Sequence, residues 1–278
     1  MSEPVSIDQE TADKFASSWN NVYDASVYTE EQFLDWIEPW KREHVEGKSV
    51  LELGCGSGAL LHHFSQLSPG HLTGVDLGES VKTAQQLLGA KAEVVKGDIT
   101  QHEDLLERLG LQDMSYCIGV LHHLTHPKEG FETLLRMTKP GGHVHAWVYA
   151  HEGNAVVRNL VDPLRKIVNH LPWALNKYGV ALPLSVPFFL YSKLCCRLSK
   201  VFGQRLPLPL FAYMLWIGQR DFKFHHHVAF DQLVTPMTHY IDRKTVDEWL
   251  SDPRIDPESR YVVFRNDNGW KFGGQLKK

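Results

Sequence analysis

The sequence predicts an α/β protein with a doubly wound, mostly parallel sheet and a helical insertion. Residues 48–149 alternate short β-branched runs with amphipathic stretches, a pattern typical of βαβ units. A glycine-rich segment, VLELGCGSG at 50–58, leads from the first of these runs into a helical stretch at Ala59. Residues 151–235 break the alternation with clustered aromatics and prolines, and the α/β pattern resumes after them. An open sheet with crossover helices and one inserted segment accounts for all three observations.

The periodicity predicts individual elements. Five strands are expected near 49–53, 71–76, 92–96, 114–119 and 142–149, with helices between them starting near Ala59, Ser80, Gln101 and Pro127. A capping-box pattern of Thr29 and Gln32 predicts an earlier helix, because apolar residues follow it at helical spacing. Near the carboxyl end we expect a helix over Arg243–Leu250 and strands near 259–265 and 270–276.

These elements divide the chain into four parts. We expect an N-terminal helical cap over 1–45, a cofactor-binding core over 46–150 and an inserted helical lid over 151–235. Residues 236–278 would complete the core sheet. The insertion precedes the return to the sheet on the crevice side, where loops of this fold class select substrates.

Composition narrows the class of protein. The chain has 278 residues, of which 43% are hydrophobic and 22% charged, enough to bury a sizeable core. The formal net charge of −4 disfavours nucleic acid as a partner, because no global positive field would attract phosphates. The four cysteines fit neither a disulfide framework nor a spaced metal site; they are Cys55, Cys117, Cys195 and Cys196. A cytoplasmic location is therefore expected.

Neither a signal peptide nor a membrane-spanning helix is expected, which also favours the cytoplasm. Residues 1–20 are polar and acidic and hold no apolar stretch of the kind found in signal peptides. The longest charge-free apolar stretches lie between Lys177 and Lys193 and between Arg205 and Arg220. Both are shorter than the roughly 20 residues that span a bilayer, so no spanning helix is expected.

The glycine loop is accompanied by three acids. Glu52 lies at the end of the first predicted strand, Asp76 ends the second and Asp98 follows the third. Gly54, Gly56 and Ala59 also satisfy the loose dinucleotide pattern, but Glu52 would repel a pyrophosphate at the following helix start. A ligand that carries an ammonium and a sulfonium would instead be attracted. A single acid here is more often a cap or turn former, but three at successive strand ends favour a binding site.

The order and spacing of several motifs resemble those of class I S-adenosylmethionine-dependent methyltransferases. The motifs are VLELGCGSG, GVDLGES at 74–80, KGDIT at 96–100, IGVLHHL at 118–124 and KPGG at 139–142. The resemblance implies a Rossmann-like sheet of seven strands with the last antiparallel, and S-adenosylmethionine as cofactor. It also covers 230–250, which is similar to a segment of a bacterial subgroup acting on small molecules.

The resemblance assigns residues to parts of the cofactor. Glu52 and the Gly54–Gly56 backbone would hold the methionine end, Asp76 the ribose, and Asp98 with Ile99 the adenine. The full set of expected cofactor-binding residues is Tyr28, Glu52, Gly54, Cys55, Gly56, Asp76, Leu77, Asp98, Ile99, Ile118 and Gly119. Trp19 and Tyr23 precede the core with Tyr28, and these aromatics either pack on the cofactor or anchor an exposed helix.

Histidines supply candidate catalytic bases. His122 and His123 follow the fourth predicted strand, where they would face the methyl group, and an imidazole titrates near working pH. One of the two is expected only to bond a backbone carbonyl, and the sequence does not say which. His239 and Tyr240 follow a proline turn near the return to the sheet, with catalytic and structural roles evenly balanced.

The other histidines are expected to be structural. His143 and His145 lie two residues apart on a strand, so they share one face, and packing explains them best. In the run 225–227, an extended backbone would let only His225 and His227 converge, and no well-spaced acid completes a metal site. No metal is expected.

The insertion is locally basic. Residues 158–205 contain eight Lys or Arg and one acid, Asp162, a local net charge of +7. This charge fits an anionic acceptor, peripheral contact with an anionic membrane through 158–205, or simply the solvated faces of helices. The sequence leaves the oligomeric state open.

Three functions compete. The first is transfer of a methyl group to a small molecule, either lipophilic or anionic, by in-line displacement with a histidine as base. The second is a nicotinamide-dependent oxidoreductase, against which Glu52 already counts. The third is a non-catalytic S-adenosylmethionine-binding regulatory module.

Overall fold

A computed structural model describes residues 6–19 and 28–278 of the chain, with only the backbone for 17–19. Seven strands form one sheet in the order β3-β2-β1-β4-β5-β7-β6. They are β1 (Ser49–Leu53), β2 (His71–Asp76), β3 (Glu93–Lys96), β4 (Gln112–Ile118), β5 (Thr138–Tyr149), β6 (Tyr261–Arg265) and β7 (Gly269–Gln275). The strands β1 to β5 pair in parallel, and β7 runs antiparallel to both β5 and β6. The expected doubly wound, seven-stranded sheet is confirmed.

Twelve α-helices are described. Those before and between the first five strands are α1 (Ile7–Trp19), α2 (Glu30–Ile37), α3 (Arg42–Val45), α4 (Ala59–Ser65), α5 (Ser80–Leu88), α6 (His102–Leu109) and α7 (Pro127–Met137). Those after β5 are α8 (Asp162–Val168), α9 (Leu182–Phe202), α10 (Phe211–Ile217), α11 (Phe222–Val234) and α12 (Arg243–Leu250). Short 3₁₀ turns lie at Gly89–Lys91, Leu121–His123 and Pro257–Ser259. Wider π-helical turns at Val157–Val161 and Leu175–Ala181 run directly into α8 and α9.

Local sequence signals explain where several helices begin. The capping box predicted at Thr29 is present, with the Thr29 hydroxyl accepting from the Gln32 amide and the Gln32 side chain accepting from the Thr29 amide. Asp242 caps α12 by accepting from the Thr245 amide at 2.8 Å. Pro127 stands in the first turn of α7, where a missing N–H costs nothing.

The strand order reverses between β1 and β4. In open α/β sheets a crevice forms at such a reversal, outside the carboxyl ends of the strands. The central strands bury apolar side chains on both faces, as in Val50 and Leu51 of β1, and this packing fixes the strand ends in place. The loops after β1, β2, β3 and β4 therefore meet at one edge of the sheet.

The structure corrects two expectations about the insertion. The run His225–His227 lies within α11 and not in an extended segment, so its side chains diverge around a helix. A continuous helix over Leu175–Phe202, 28 residues long, is long and apolar enough to cross a membrane by length and composition, and 22% of its apolar window is buried. Charge-free runs had underestimated this length, because the helix continues through Lys177 and Lys193.

Candidate active site

A single cavity opens at the carboxyl edge of the sheet. Its floor consists of the loops that follow β1 to β4, and α1, α10 and α11 contribute to its walls. Helix α1 is tied to the loop after β4, because Asp8 accepts hydrogen bonds from the amide and the hydroxyl of Thr125, both at 2.8 Å. The cavity has one end near the glycine loop and another under the insertion.

The glycine loop requires backbone that only glycine adopts readily. Gly54 has φ +79°, and a Cβ built there would lie 2.4 Å from Cγ2 of Val120. Gly56 has φ +51°, yet a Cβ on it would meet no atom within 4 Å. Gly54 is therefore needed for packing against the loop after β4. Gly56 instead leaves open space along the cavity wall, where a ligand could lie against the backbone.

Asp76, at the end of β2, is held by the glycine loop and its own turn. Its Oδ2 accepts from the Gly56 amide at 2.9 Å, and its Oδ1 accepts from the Gly78 amide at 2.8 Å and the Ser80 hydroxyl at 3.0 Å. Burial raises the pKa of Asp76, and these hydrogen bonds oppose that shift. The carboxylate is thus oriented at the strand end before any ligand arrives.

Glu52 is the most unusual acid in the cavity. It is 1% exposed, and its Oε2 accepts a hydrogen bond from the Tyr116 hydroxyl at 2.9 Å. Burial raises the pKa of Glu52 to about 8, since only part of the lost solvation is returned by Tyr116. A buried carboxyl of this kind is suited to a cationic ligand, whose charge would stabilise the ionised form.

Asp98 completes the row of acids. Its Oδ1 accepts from the amide and the hydroxyl of Thr100, at 2.8 Å and 2.7 Å. Buried Ile99 follows it and also lines the cavity. An acid beside an apolar side chain can bond the edge of an aromatic base and pack its face.

All eleven residues expected to bind the cofactor line this cavity. They are Tyr28, Glu52, Gly54, Cys55, Gly56, Asp76, Leu77, Asp98, Ile99, Ile118 and Gly119. Their individual roles stay predictions. Of the aromatics near the N-terminus, Tyr28 packs edge-on against Trp36 at 4.5 Å, whereas Tyr23 and the side chain of Trp19 lie outside the described residues.

Comparison with known proteins identifies the family of this site. A family model described as "Methyltransferase domain" matches residues 51–144, the segment that holds the glycine loop and the three acids. This match supports a class I S-adenosylmethionine-dependent methyltransferase domain over that segment. S-adenosylmethionine is accordingly the cofactor, and the open wall at Gly56 with buried Glu52 beside it fits its methionine end.

Curated relatives and a solved structure agree with this assignment. The ubiquinone biosynthesis O-methyltransferase of Pseudomonas syringae pv. tomato is 33% identical over 140 residues, which cover 46% of this chain and 59% of that protein. The protein of that name from Pseudomonas putida (strain W619) is 36% identical over 114 residues, 40% of this chain and 47% of the relative. The chain thus spans about half the length of the curated relatives it matches.

A solved structure shows the fold across almost the whole chain. An O-methyltransferase family protein from Burkholderia thailandensis has a TM-score of 0.52 and 12% identity over 93% of this chain and 59% of that one. At that identity the likeness concerns the fold alone, and it extends through the region after β5.

The two neighbouring histidines after β4 have different surroundings. His123 lines the cavity, and its Nδ1 lies 3.0 Å from the Met237 carbonyl, so this nitrogen carries the proton and Nε2 holds a lone pair. His122 is fully buried against the ring of Tyr149 at 4.3 Å, and neither ring nitrogen has a hydrogen-bond partner among the described residues. Burial lowers the pKa of His123 to about 3 and that of His122 well below its ordinary value. Both rings are therefore neutral at physiological pH.

His239 and Tyr240 do not line the cavity. The His239 amide donates to the His122 carbonyl at 2.7 Å and so braces the loop after β4. The Tyr240 hydroxyl donates to Asp162 at 2.9 Å, and Asp162 in turn pairs with Arg165 at 3.0 Å. The segment before α12 nevertheless lies beside the cavity wall, because Tyr240 stacks on Tyr149 at 6.4 Å and the carbonyl of Met237 contacts His123.

Several cavity residues were not expected from the sequence. At the end under the insertion the wall is aromatic, with Trp36, Trp147, Tyr149, Tyr213, Trp216 and Phe224, joined by Arg265 from β6. Trp147 and Tyr149 could have been predicted to line the cavity, because they lie two residues apart at the carboxyl end of β5 and so share one face of the strand. Tyr213, Trp216 and Phe224 come from α10 and α11, whose packing onto the sheet has no local sequence signal.

The histidine run in α11 contributes one residue to the cavity. His225 Nε2 lies 2.8 Å from the Ser192 hydroxyl, and His226 Nε2 lies 2.9 Å from the Lys177 carbonyl. His227 lines the cavity, and burial lowers its pKa to about 4. No group of three or more metal-binding side chains occurs within residues 6–19 and 28–278.

Of the two histidines of β5, His145 is packed as expected, and His143 is half-buried. His145 is buried, with Nδ1 2.6 Å from the Tyr261 hydroxyl and Nε2 2.9 Å from the Trp36 carbonyl. These two contacts occupy the ring and link β5 to β6 and α2.

Proposed function

We propose that the protein transfers a methyl group from S-adenosylmethionine to the hydroxyl of a planar, apolar small molecule in the cytoplasm. The main support is that one cavity is lined both by the glycine loop and by the aromatic wall under the insertion, which we call the aromatic chamber. His123 also lines this cavity. The cofactor supplies an activated methyl group, so the protein has to align the acceptor and exclude water. The chamber side chains are large and are buried or half-buried, which suits both tasks.

The aromatic chamber supports a planar acceptor. Trp147 and Tyr149 meet edge to face at 5.2 Å, and Tyr213 stacks on Trp216 at 5.7 Å. Ring faces of this kind bind flat apolar molecules in offset or edge-on geometry. The relatives named as ubiquinone biosynthesis O-methyltransferases give independent support for an oxygen acceptor on a lipophilic molecule.

His123 is the proposed proton acceptor. Methyl transfer to a hydroxyl breaks the sulfur–methyl bond, forms the oxygen–methyl bond and releases the hydroxyl proton, which His123 Nε2 would receive. Burial lowers the pKa of His123 to about 3, which keeps the ring neutral and its Nε2 able to accept a proton. Because so weak a base cannot activate an ordinary alcohol, the acceptor hydroxyl has to be acidic, as in a phenol. His227 is the second cavity imidazole and therefore the matched comparison.

Arg265 supports an anionic substituent on the acceptor. Its guanidinium lies 5.0 Å from the ring centre of Trp36 and 5.4 Å from that of Trp216, and its Nε donates to Asp35 at 2.6 Å. Asp35 accepts from Nε and forms an ion pair with Nη2, but Nη2 has no hydrogen-bond partner among the described residues. Since Arg265 also lines the cavity, its guanidinium could donate to a carboxylate there. We propose a phenol that carries such a group.

The test is turnover with a panel of phenols, with and without a carboxylate. S-adenosylhomocysteine and the methyl ether should form together, as measured by mass spectrometry. His123→Gln should lower kcat about 100-fold or more without changing cofactor affinity, while His227→Gln changes kcat less. Arg265→Gln should raise KM for carboxylated phenols and leave that for neutral phenols unchanged.

The competing functions have their own signatures. An oxidoreductase would enhance the fluorescence of a reduced nicotinamide cofactor, and titration calorimetry with S-adenosylmethionine would show no binding. A regulatory module would bind S-adenosylmethionine normally and turn over no phenol of the panel. Either result would contradict the proposed reaction.

A further inference from the structure

The helix Leu175–Phe202 buries small, mostly polar residues and exposes large apolar ones. The buried residues of α9 are Ser185, Ser192, Cys195 and Ser199, which are small and mostly polar. Large apolar side chains of the same helix are exposed, including Leu190 at 61% and Val201 at 73%. A helix on the surface of a globular protein normally buries its apolar stripe and exposes polar residues.

The buried serines are satisfied within the protein. Ser185, Ser192 and Ser199 donate to helix carbonyls at 2.6 to 2.9 Å, and Ser192 also contacts His225 of α11. Their small size lets α9 pack closely on α10 and α11. The helix is therefore anchored through its polar side, and its orientation is set by those contacts.

The exposed apolar residues are concentrated in one region. Of the eighteen large hydrophobic residues exposed in the described chain, twelve lie between 156 and 202: Val156, Leu160, Ile167, Trp173, Leu175, Tyr178, Leu184, Val186, Leu190, Leu194, Val201 and Phe202. Within α9, Val186, Leu190, Leu194 and Val201 recur at helical spacing and form one stripe. Contiguous exposed apolar surface of this kind marks an interaction site.

The same region carries the positive charge of the insertion. Residues 158–205 have a net charge of +7 within a chain of net charge −4. Arg197 and Lys200 are exposed near the stripe, and no ion pair joins either to an acid among the described residues. An apolar stripe beside unneutralised cations complements an anionic lipid surface, where acyl chains take the apolar side chains and head groups the cations.

We propose that the stripe of α9, with the exposed Arg197 and Lys200 beside it, docks the protein on the surface of an anionic lipid bilayer. The helix lies in the plane of the interface and does not cross the bilayer, because Arg197 and Lys200 interrupt its exposed side and must stay at head-group level. Lys193 agrees with this orientation, since its ammonium donates to the Gly218 and Arg220 carbonyls on the protein side. The proposal does not depend on which acceptor is methylated.

Vesicle flotation of the full-length protein tests the docking. We expect binding to phosphatidylcholine vesicles containing phosphatidylglycerol, much weaker binding to phosphatidylcholine alone, and release at high salt. Replacing Arg197 and Lys200 by Gln should weaken binding about 30-fold, and Lys128→Gln with Lys244→Gln should not. Equal binding to both kinds of vesicle would overturn the charge argument.

A second variant tests the apolar stripe. Leu190→Ser, Leu194→Ser and Val201→Ser together should weaken vesicle binding about 10-fold or more. Leu34→Ser, Leu111→Ser and Val263→Ser are the matched control, because they change two leucines and one valine that are exposed elsewhere. Unchanged thermal unfolding and cofactor binding in both variants would show that the fold and the cofactor site are intact.

Two further outcomes would overturn the proposal. Retention in the membrane fraction after alkaline carbonate extraction would mean that the helix spans the bilayer. A dimer that the stripe variant converts to a monomer, without vesicle binding by the wild type, would mean that the stripe contacts a second copy of the chain.

Discussion

The motif-bearing core, 48–149, and the insertion, 151–235, place polar and apolar residues by opposite rules. In the core, apolar strands are buried, and the polar residues at their ends, such as Glu52 and Asp76, face the cavity. In α9 the serines are buried and the leucines are exposed. The core thus directs its polar groups inward to a cavity, whereas the insertion directs apolar side chains outward to its surroundings.

The largest effect is expected for Gly54 in the core. Gly54→Ala places a Cβ 2.4 Å from Val120 Cγ2 at φ +79°. We expect the free energy of unfolding to fall by about 3 kcal/mol, since a left-handed residue and an overpacked contact are combined. Chemical denaturation measures this change.

Gly56→Ala is the matched control, because its Cβ would meet no atom within 4 Å. Gly56→Ala should lower the free energy of unfolding by about 1 kcal/mol. It should also reduce cofactor affinity, because the added Cβ occupies space along the cavity wall. Val120→Ala should restore part of the stability lost in Gly54→Ala. If the two glycine variants were equally stable, contact with Val120 would not explain why position 54 requires glycine.

The next effect concerns the charge of Glu52. With its pKa raised to about 8, the folded protein without cofactor holds a proton that the unfolded chain releases above the ordinary pKa of Glu. The contribution of Glu52 to the free energy of unfolding is therefore full at low pH and is lost as the pH rises through 8. Cofactor binding below pH 8 should release this proton, so affinity rises with pH up to that value.

Calorimetry at about pH 7 in buffers of different ionisation enthalpy measures the proton release. Glu52→Gln should remove it and weaken cofactor binding about 30-fold, because a charge-assisted contact is lost. Glu103→Gln, an exposed change in α6, should alter neither. Proton release that persists in Glu52→Gln would assign the titration to another group.

The smallest effect is expected on the stability of the insertion. Leu190→Ala should change the free energy of unfolding by less than about 0.5 kcal/mol, because Leu190 is 61% exposed. The same substitution at buried Leu53 should cost about 2–5 kcal/mol. A large cost at Leu190 would show that the stripe is packed within the protein in solution, and the contrast between the two regions would fail.

Much of the core was predictable because its signals are local. Strand β1, the turn at Gly54 and the acid Asp76 follow from residue types at short spacing, and the structure gathers all the expected cofactor residues around one cavity. The insertion was less predictable. The prediction of an extended His225–His227 was wrong, because these residues lie in α11, which packs against α9.

The sequence by itself determined the sheet class, the methyltransferase motifs and the set of residues that line the inner end of the cavity, since each depends on short-range patterns. Only the tertiary structure distinguished His123 from His122, brought Arg265 from β6 to the aromatic chamber and showed which side of α9 is exposed. These features depend on contacts between residues far apart in the chain, such as His123 with Met237. The alternation of apolar and polar residues indicates that a helix has two faces, and packing against its neighbours decides which of them remains on the outside.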